Sequence, residues 1–228
     1  MILSIERPLV CFDIESTGLD VTKDRIVEVG FVKLMPDGSR DQLQRRCDPG
    51  IDIPDAAARI HGIRTDDVRG LFGEPSLVKI APEFLEFIGD ADLAGFNCIG
   101  YDLPLLLNEF ERHQVEFDAG ARRVVDAKVI FDRREITWDR LLQGPRNLNN
   151  AVLHYCGRDQ AAAFAKRDED DDGAGLSVSI DEQNRHSAVL DADATLDVLL
   201  AQLERYEDLP RDIAGLHEFC AAPAQAPM

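Results

Sequence analysis

The chain is short of positive charge. Its 228 residues carry 25 Lys and Arg against 43 Asp and Glu, a formal net charge of −18. That shortage argues against a non-specific coat for duplex DNA and against a binder of anionic membranes, since both need basic surface. It leaves room for an enzyme that meets phosphates through metal ions, because the ions bring the positive charge. Paired cysteines are also missing. Five stand at 11, 47, 98, 156 and 220, an odd number with irregular spacing and no CxxC. This excludes a disulfide framework and a zinc ribbon, and it reads as reduced thiols in a reducing cytoplasm. No apolar run approaches the roughly 18 residues of a membrane span, and MILSIERPLV is too short and too charged for a signal peptide. The expectation is a cytoplasmic protein with no membrane partner. No internal repeat is evident. What remains is ordinary globular composition, 45% hydrophobic and 30% charged, at a length that buries a core without staples.

Strands come first. Leu9 to Ile14 (LVCFDI) is a short apolar run bounded by Pro8 and Gly18, read as a buried strand. Arg25 to Leu34 is a second strand, Pro36-Asp37-Gly38-Ser39 a turn, and Asp41 to Cys47 a third, half-exposed strand. Short turns between three strands predict an antiparallel meander. Beyond it, Leu77, Ile80, Ala81, Phe84 and Ile88 recur at helical spacing after Ser76, with Pro82 marking either a kink or the true start. Leu93 to Asn97 reads as a strand and Asp102 as the N-cap of a helix with Pro104 in its first turn. Asn147 caps a further helix closed by Gly157, and the last long helix runs from about Ser187 to Tyr206. The order predicts an α/β fold with a mixed β-sheet flanked by helices. One domain is expected over 1–210, with an irregular acidic excursion at 159–185 that holds a short strand at Leu176 to Ile180, and a C-terminal tail over 211–228.

Three segments carry acids in places that do not favour them. In LVCFDIE, Asp13 and Glu15 are two apart and so share one face of a strand. An ionised carboxylate in an apolar run is costly unless something positive compensates it. A divalent cation would turn the repulsion of the pair into attraction; the bland alternative is a solvated pair at a strand end. Gly18, in the following STGL, permits close backbone approach to a ligand. GFNCIGYD, residues 95–102, runs from a strand into a helix, where Asp102 could be a plain N-cap and Asn97 could simply fix a loop. HSAVLDADAT, residues 186–195, places His186 before a helix and Asp191 five residues later. The helical wheel sets Asp193 nearer the apolar stripe than Asp191, so periodicity does not choose between them.

Together these segments resemble the histidine branch of the DEDD superfamily of 3′→5′ exonucleases. Asp13 and Glu15 in FDIESTGL match its first motif, Asn97 and Asp102 in GFNCIGYDLPLL its second, and His186 with Asp191 its third. ARIHGI, residues 58–63, is similar to the family's His-Gly-Ile turn. The likeness runs over roughly residues 8 to 206, and the motifs in correct order are far more specific than any one alone. It selects Asp191 over Asp193. Ser187 stands where the tyrosine branch has Tyr, and Phe96 where many members have His.

The resemblance implies a ribonuclease H-like fold and metal-dependent removal of nucleoside 5′-monophosphates from the 3′ end of single-stranded DNA. Asp13, Glu15, Asp102 and Asp191 would hold two divalent cations, Mg²⁺ or Mn²⁺, with His186 as general base. Thr17, Gly18 and Leu19 would lie against the terminal nucleotide, with Ile60, His61 and Asn97 completing the substrate side. DNA is favoured over RNA, although no motif reads a 2′ hydroxyl. The acidic surface predicts weak binding to long duplexes, which a polymerase partner would offset by tethering. Rival readings are a trimming exoribonuclease and a non-catalytic adaptor on the same fold.

Overall fold

Alternation along the opening strand sets the two sides of the molecule. In β1 (Leu9–Ser16), Val10, Phe12 and Ile14 point into one apolar cluster while Leu9 and Cys11 point into another. β2 (Ile26–Leu34) does the same, sending Val29 and Phe31 one way and Val32 and Leu34 the other. Strands buried on both faces need apolar residues at nearly every position, which is why this stretch is so rich in Val, Ile, Leu and Phe. β3 (Arg40–Arg46) is the edge strand, and of its side chains only Leu43 is buried.

The computed structural model describes residues 2–157 and 187–223. Its five strands form one mixed sheet in the order β3-β2-β1-β4-β5. β1, β2 and β3 are an antiparallel meander, as expected, with Asp13 opposite Gly30 and Glu15 opposite Glu28. β4 (Asp92–Gly95) and β5 (Val124–Asp126) join in parallel on the other side of β1. One face is covered by α3 (Leu77–Ile88) and α4 (Asp102–Arg112), whose Phe84 and Phe110 pack with Phe12 and Phe31. Pro82 lies within α3 rather than at its start. The short helices α1 (Asp55–His61) and α2 (Thr65–Val68) close a third cluster around Val27. On the other face lie α5 (Ala127–Arg134) and two later helices, α8 (Ala188–Arg205) and α9 (Ile213–Ala221). Between them come α6 (Arg140–Gln143), α7 (Leu148–Ala151) and a π-turn over Val152–Cys156.

Four sequence expectations need correction or a boundary. β5 was not anticipated; three residues, Val124 to Asp126, give no periodicity to read. The tail expected over 211–228 instead carries α9, whose Ile213, Leu216 and Cys220 are buried and whose His217 Nδ1 accepts the Val124 N–H at 3.0 Å. The helix after Asn147 is only one α-turn before it widens into the π-turn. The acidic excursion 159–185, with its expected strand at Leu176 to Ile180, lies outside the described residues. Among the described residues no helix is long and apolar enough to cross a membrane.

Candidate active site

The site stands where β1 runs out of apolar residues. Asp13 and Glu15 continue the face begun by Leu9 and Cys11, so the strand itself aims both carboxylates to the α8 side. Their cross-strand neighbours are unusual. Opposite Asp13 is Gly30, and a Cβ there would fall 2.0 Å from Val189 N and 2.1 Å from Ala188 C. Only a residue without a side chain lets α8 begin directly on the sheet. Opposite Glu15 is Glu28, fully buried, whose Oε2 accepts Arg46 Nε–H at 2.7 Å and whose Oε1 accepts the Ala188 N–H at 3.2 Å. Asp191, in the first turn of α8, is thereby brought down onto β1.

The outcome is a group of three carboxylates, Asp13, Glu15 and Asp191, each offering an oxygen within 4.8 Å of the others. Asp102 flanks it. It is the first residue of α4, not its N-cap; Tyr101 takes the cap position, and Asp102 Oδ1 instead accepts the Ile14 N–H of β1 at 3.2 Å. Its side chain thus ties the second segment to the first. Burial pushes the Asp102 carboxyl up to about 7, reinforced by Asp126 and Asp191. Asp13 is pushed well above the usual carboxylate range, first by burial and then by the negative charge of Asp102, Asp191, Glu15 and Glu28. Crowded hard oxygens of one sign are the donor set that a small divalent cation takes, and a cation there would relieve their repulsion. Asp193 faces elsewhere, accepting from Arg40 at 2.6 Å.

The residues expected on the substrate side fall into two groups. Leu19 and Ile60 are large, apolar and 86% and 56% exposed. Thr17, Gly18 and His61 instead build the floor. Thr17 Oγ1 donates to Asp24 Oδ1 at 2.9 Å and accepts the Arg25 N–H at 2.9 Å. Gly18 backs onto the same Asp24 carboxylate, where a Cβ would come within 2.5 Å; its carbonyl accepts from Ser16 Oγ and Tyr101 OH. His61 is buried, with Nδ1 accepting the Ile63 N–H at 3.1 Å, so Nε2 carries the proton and donates to the Ser16 carbonyl at 3.2 Å. The turn that shows Ile60 to solvent is therefore pinned to the end of β1. Asn97 is exposed and left-handed at φ 70°, and its N–H is held by Asp126 Oδ1 at 2.9 Å. His186 lies outside the described residues.

Sequence reasoning passed over Glu28, Gly30 and Asp126. The signal for Glu28 and Gly30 was present: an acid and a glycine interrupt the apolar run IVEVGFV of β2. Asp126 gave none, yet it caps α5 and also accepts from Asn97 and Ile99, holding the loop that leads into Asp102.

Fold and site together define an α/β protein with a carboxylate centre at the carboxy end of the first strand of a mixed sheet. The family model described as Exonuclease matches residues 10–199, and the chain belongs to that family. A DNA polymerase III PolC-type protein of Caldanaerobacter subterraneus is 24% identical over 90% of this chain, and the match covers 12% of that protein. A DNA polymerase III subunit epsilon of Aquifex aeolicus is 30% identical over 40% of this chain and 44% of its own length. This chain thus spans less than half of either relative. Among solved structures, E. coli exonuclease I in complex with a dT13 oligonucleotide superposes with a TM-score of 0.60 at 17% identity, over 88% of this chain and 41% of that one. That likeness supports the ribonuclease H-like sheet expected from the sequence.

Proposed function

We propose that the chain is a metal-dependent 3′→5′ exonuclease acting on single-stranded DNA and releasing nucleoside 5′-monophosphates. The observation that carries this reading is the meeting of Asp13, Glu15 and Asp191 from opposite ends of the sequence, with Asp102 fastened beside them. These four carboxylates would hold two divalent cations, Mg²⁺ or Mn²⁺. When bound, such ions lower the pKa of water and stabilise a leaving oxygen. The chain's own residues do the remaining work. His186, five residues before Asp191, takes the proton of the attacking water, since imidazole titrates near working pH. Leu19 and Ile60 offer exposed apolar surface for the terminal base, a sequence-tolerant contact suited to a single-stranded end. The backbone at Gly18, bare of a side chain, lies against the terminal nucleotide, with Thr17, His61 and Asn97 holding its surroundings in shape. The net charge of −18 gives no long-range pull on DNA. The polymerase names of the relatives support a polymerase partner that supplies the missing affinity by tethering.

The test is time-resolved digestion of matched end-labelled DNA and RNA strands, with and without Mn²⁺, for the wild type and Asp13→Ala. Stepwise shortening from the 3′ end that needs Mn²⁺ and disappears in the variant is expected, faster on DNA. Faster loss of RNA would move the substrate to RNA. No shortening of either strand would overturn the enzyme reading in favour of a binding role.

A further inference from the structure

Glu28 is the most deeply buried acid near the site that is not one of the grouped carboxylates. Both of its oxygens are engaged: Oε2 takes Arg46 Nε–H at 2.7 Å from the next strand, and Oε1 takes the Ala188 N–H at 3.2 Å. Ala188 is the first residue of α8, so Glu28 receives one of the backbone N–H groups that a helix start leaves open. The Ser187 side chain, at the N-cap position, makes no capping bond to α8. A carboxylate at a helix N-terminus also complements the positive end of the helix dipole. The register adds the second constraint, because Gly30, two residues on and on the same face, removes everything that would hold α8 off the sheet.

We infer that Glu28 is a positioning residue for the metal centre: held by Arg46, it fastens the start of α8 to β2 and so sets the place of Asp191 over Asp13 and Glu15. This rests on the reading of those three as metal ligands. Asp191 is three residues past Ala188, less than one helical turn, so an error at Ala188 passes almost undiminished to the carboxylate. The hydrogen bond and the carboxylate's charge act together at the helix start, the bond fixing the place of Ala188 and the charge complementing the helix dipole. Glu28 therefore acts as an outer partner, of the kind whose loss typically weakens metal affinity by about 10–100-fold.

The experiment is calorimetric titration of Mn²⁺ into the full chain, with circular dichroism and a thermal melt on each variant. Glu28→Ala is expected to weaken Mn²⁺ binding by about 10-fold or more. Glu28→Gln keeps an acceptor oxygen for the Ala188 N–H but gives up the bond from Arg46, so it is expected to weaken Mn²⁺ binding less than Glu28→Ala does. Ala188→Pro removes the donor instead; Pro suits the first position of a helix, so this variant decides the matter if Glu28→Ala does not fold. It is expected to match Glu28→Ala. A folded Glu28→Ala that binds Mn²⁺ like the wild type would overturn the inference, as would Ala188→Pro doing so. A loss in Glu28→Gln equal to that in Glu28→Ala would also overturn it, by showing that the bond to Ala188 carries none of the effect. Asp191→Ala separates the two readings: undiminished Mn²⁺ binding there removes the metal centre itself, whatever Glu28 does.

Discussion

One face of the sheet changes character along its length. At one end Leu9 and Cys11 of β1 face Leu34 and Val32 of β2, all essentially without solvent contact. Two residues further on, the same strands present Asp13, Glu15 and Glu28, with Gly30 among them. The backbone pairing is continuous across both ends, and α8 lies over both. The apolar end gains from exclusion of water. The acidic end loses by it, because burial and mutual repulsion both oppose ionisation of Asp13. The first end secures the helix so that the second can be held in an arrangement it would not choose alone. The proposed centre sits where the local preference is overruled, and stability is supplied by its neighbour.

That division can be broken from either side. Asp13→Ala is expected to reduce exonuclease activity on the order of 10³-fold, since several kcal/mol of charge stabilisation depend on the centre, while the melting temperature holds or rises; a merely fewfold loss in a 3′-end digestion assay would contradict the assignment. His186→Ala should slow turnover by roughly 10²–10⁴-fold while leaving Mn²⁺ binding intact by calorimetry, and loss of the metal instead would make it a ligand. From the apolar side, Leu9→Ala is expected to lower stability by about 2–5 kcal/mol in denaturant titration with activity per folded molecule unchanged. If activity fell in proportion beyond the folded fraction, the two ends would not be separable.

Acidity gives a subtler test. Asp102 is pushed up to about 7 by burial, whereas an unfolded Asp titrates near about 4. The fold therefore favours the protonated form, and that contribution is present below about pH 4 and lost as pH rises through about 7. The melting-temperature gain on adding Mn²⁺ to metal-free protein should be larger at pH 8 than at pH 5. Equal gains at both would show that these carboxyls titrate normally. The smallest effect is expected from Leu19→Ala, a fewfold rise in KM for single-stranded DNA with little change in kcat.

Much of this arrangement was legible in the sequence because burial on both faces leaves a strong trace. β1, β2 and the bounds of α8 follow from apolar runs and their interruption. Asp191 could not be separated from Asp193 by periodicity, since α8 carries apolar contacts on a wide arc; the distinction is made by Arg40, 153 residues away, which takes Asp193. The same distance problem hid the role of Asp102. Locally it had every mark of an N-cap, and only the approach of Ile14 from β1 recruits it across the sheet. β5 and α9 were missed together because each is too short to stand without the other.

The route by which α8 reaches the sheet has a consequence for synthesis. Asp191 leaves the ribosome more than 170 residues after Asp13 and Glu15, and after the five strands of the described sheet. A nascent chain can pair β1 to β4 and still lack the third carboxylate. The centre thus waits for α8, and a polypeptide cut short before that helix would lack one of its three grouped carboxylates.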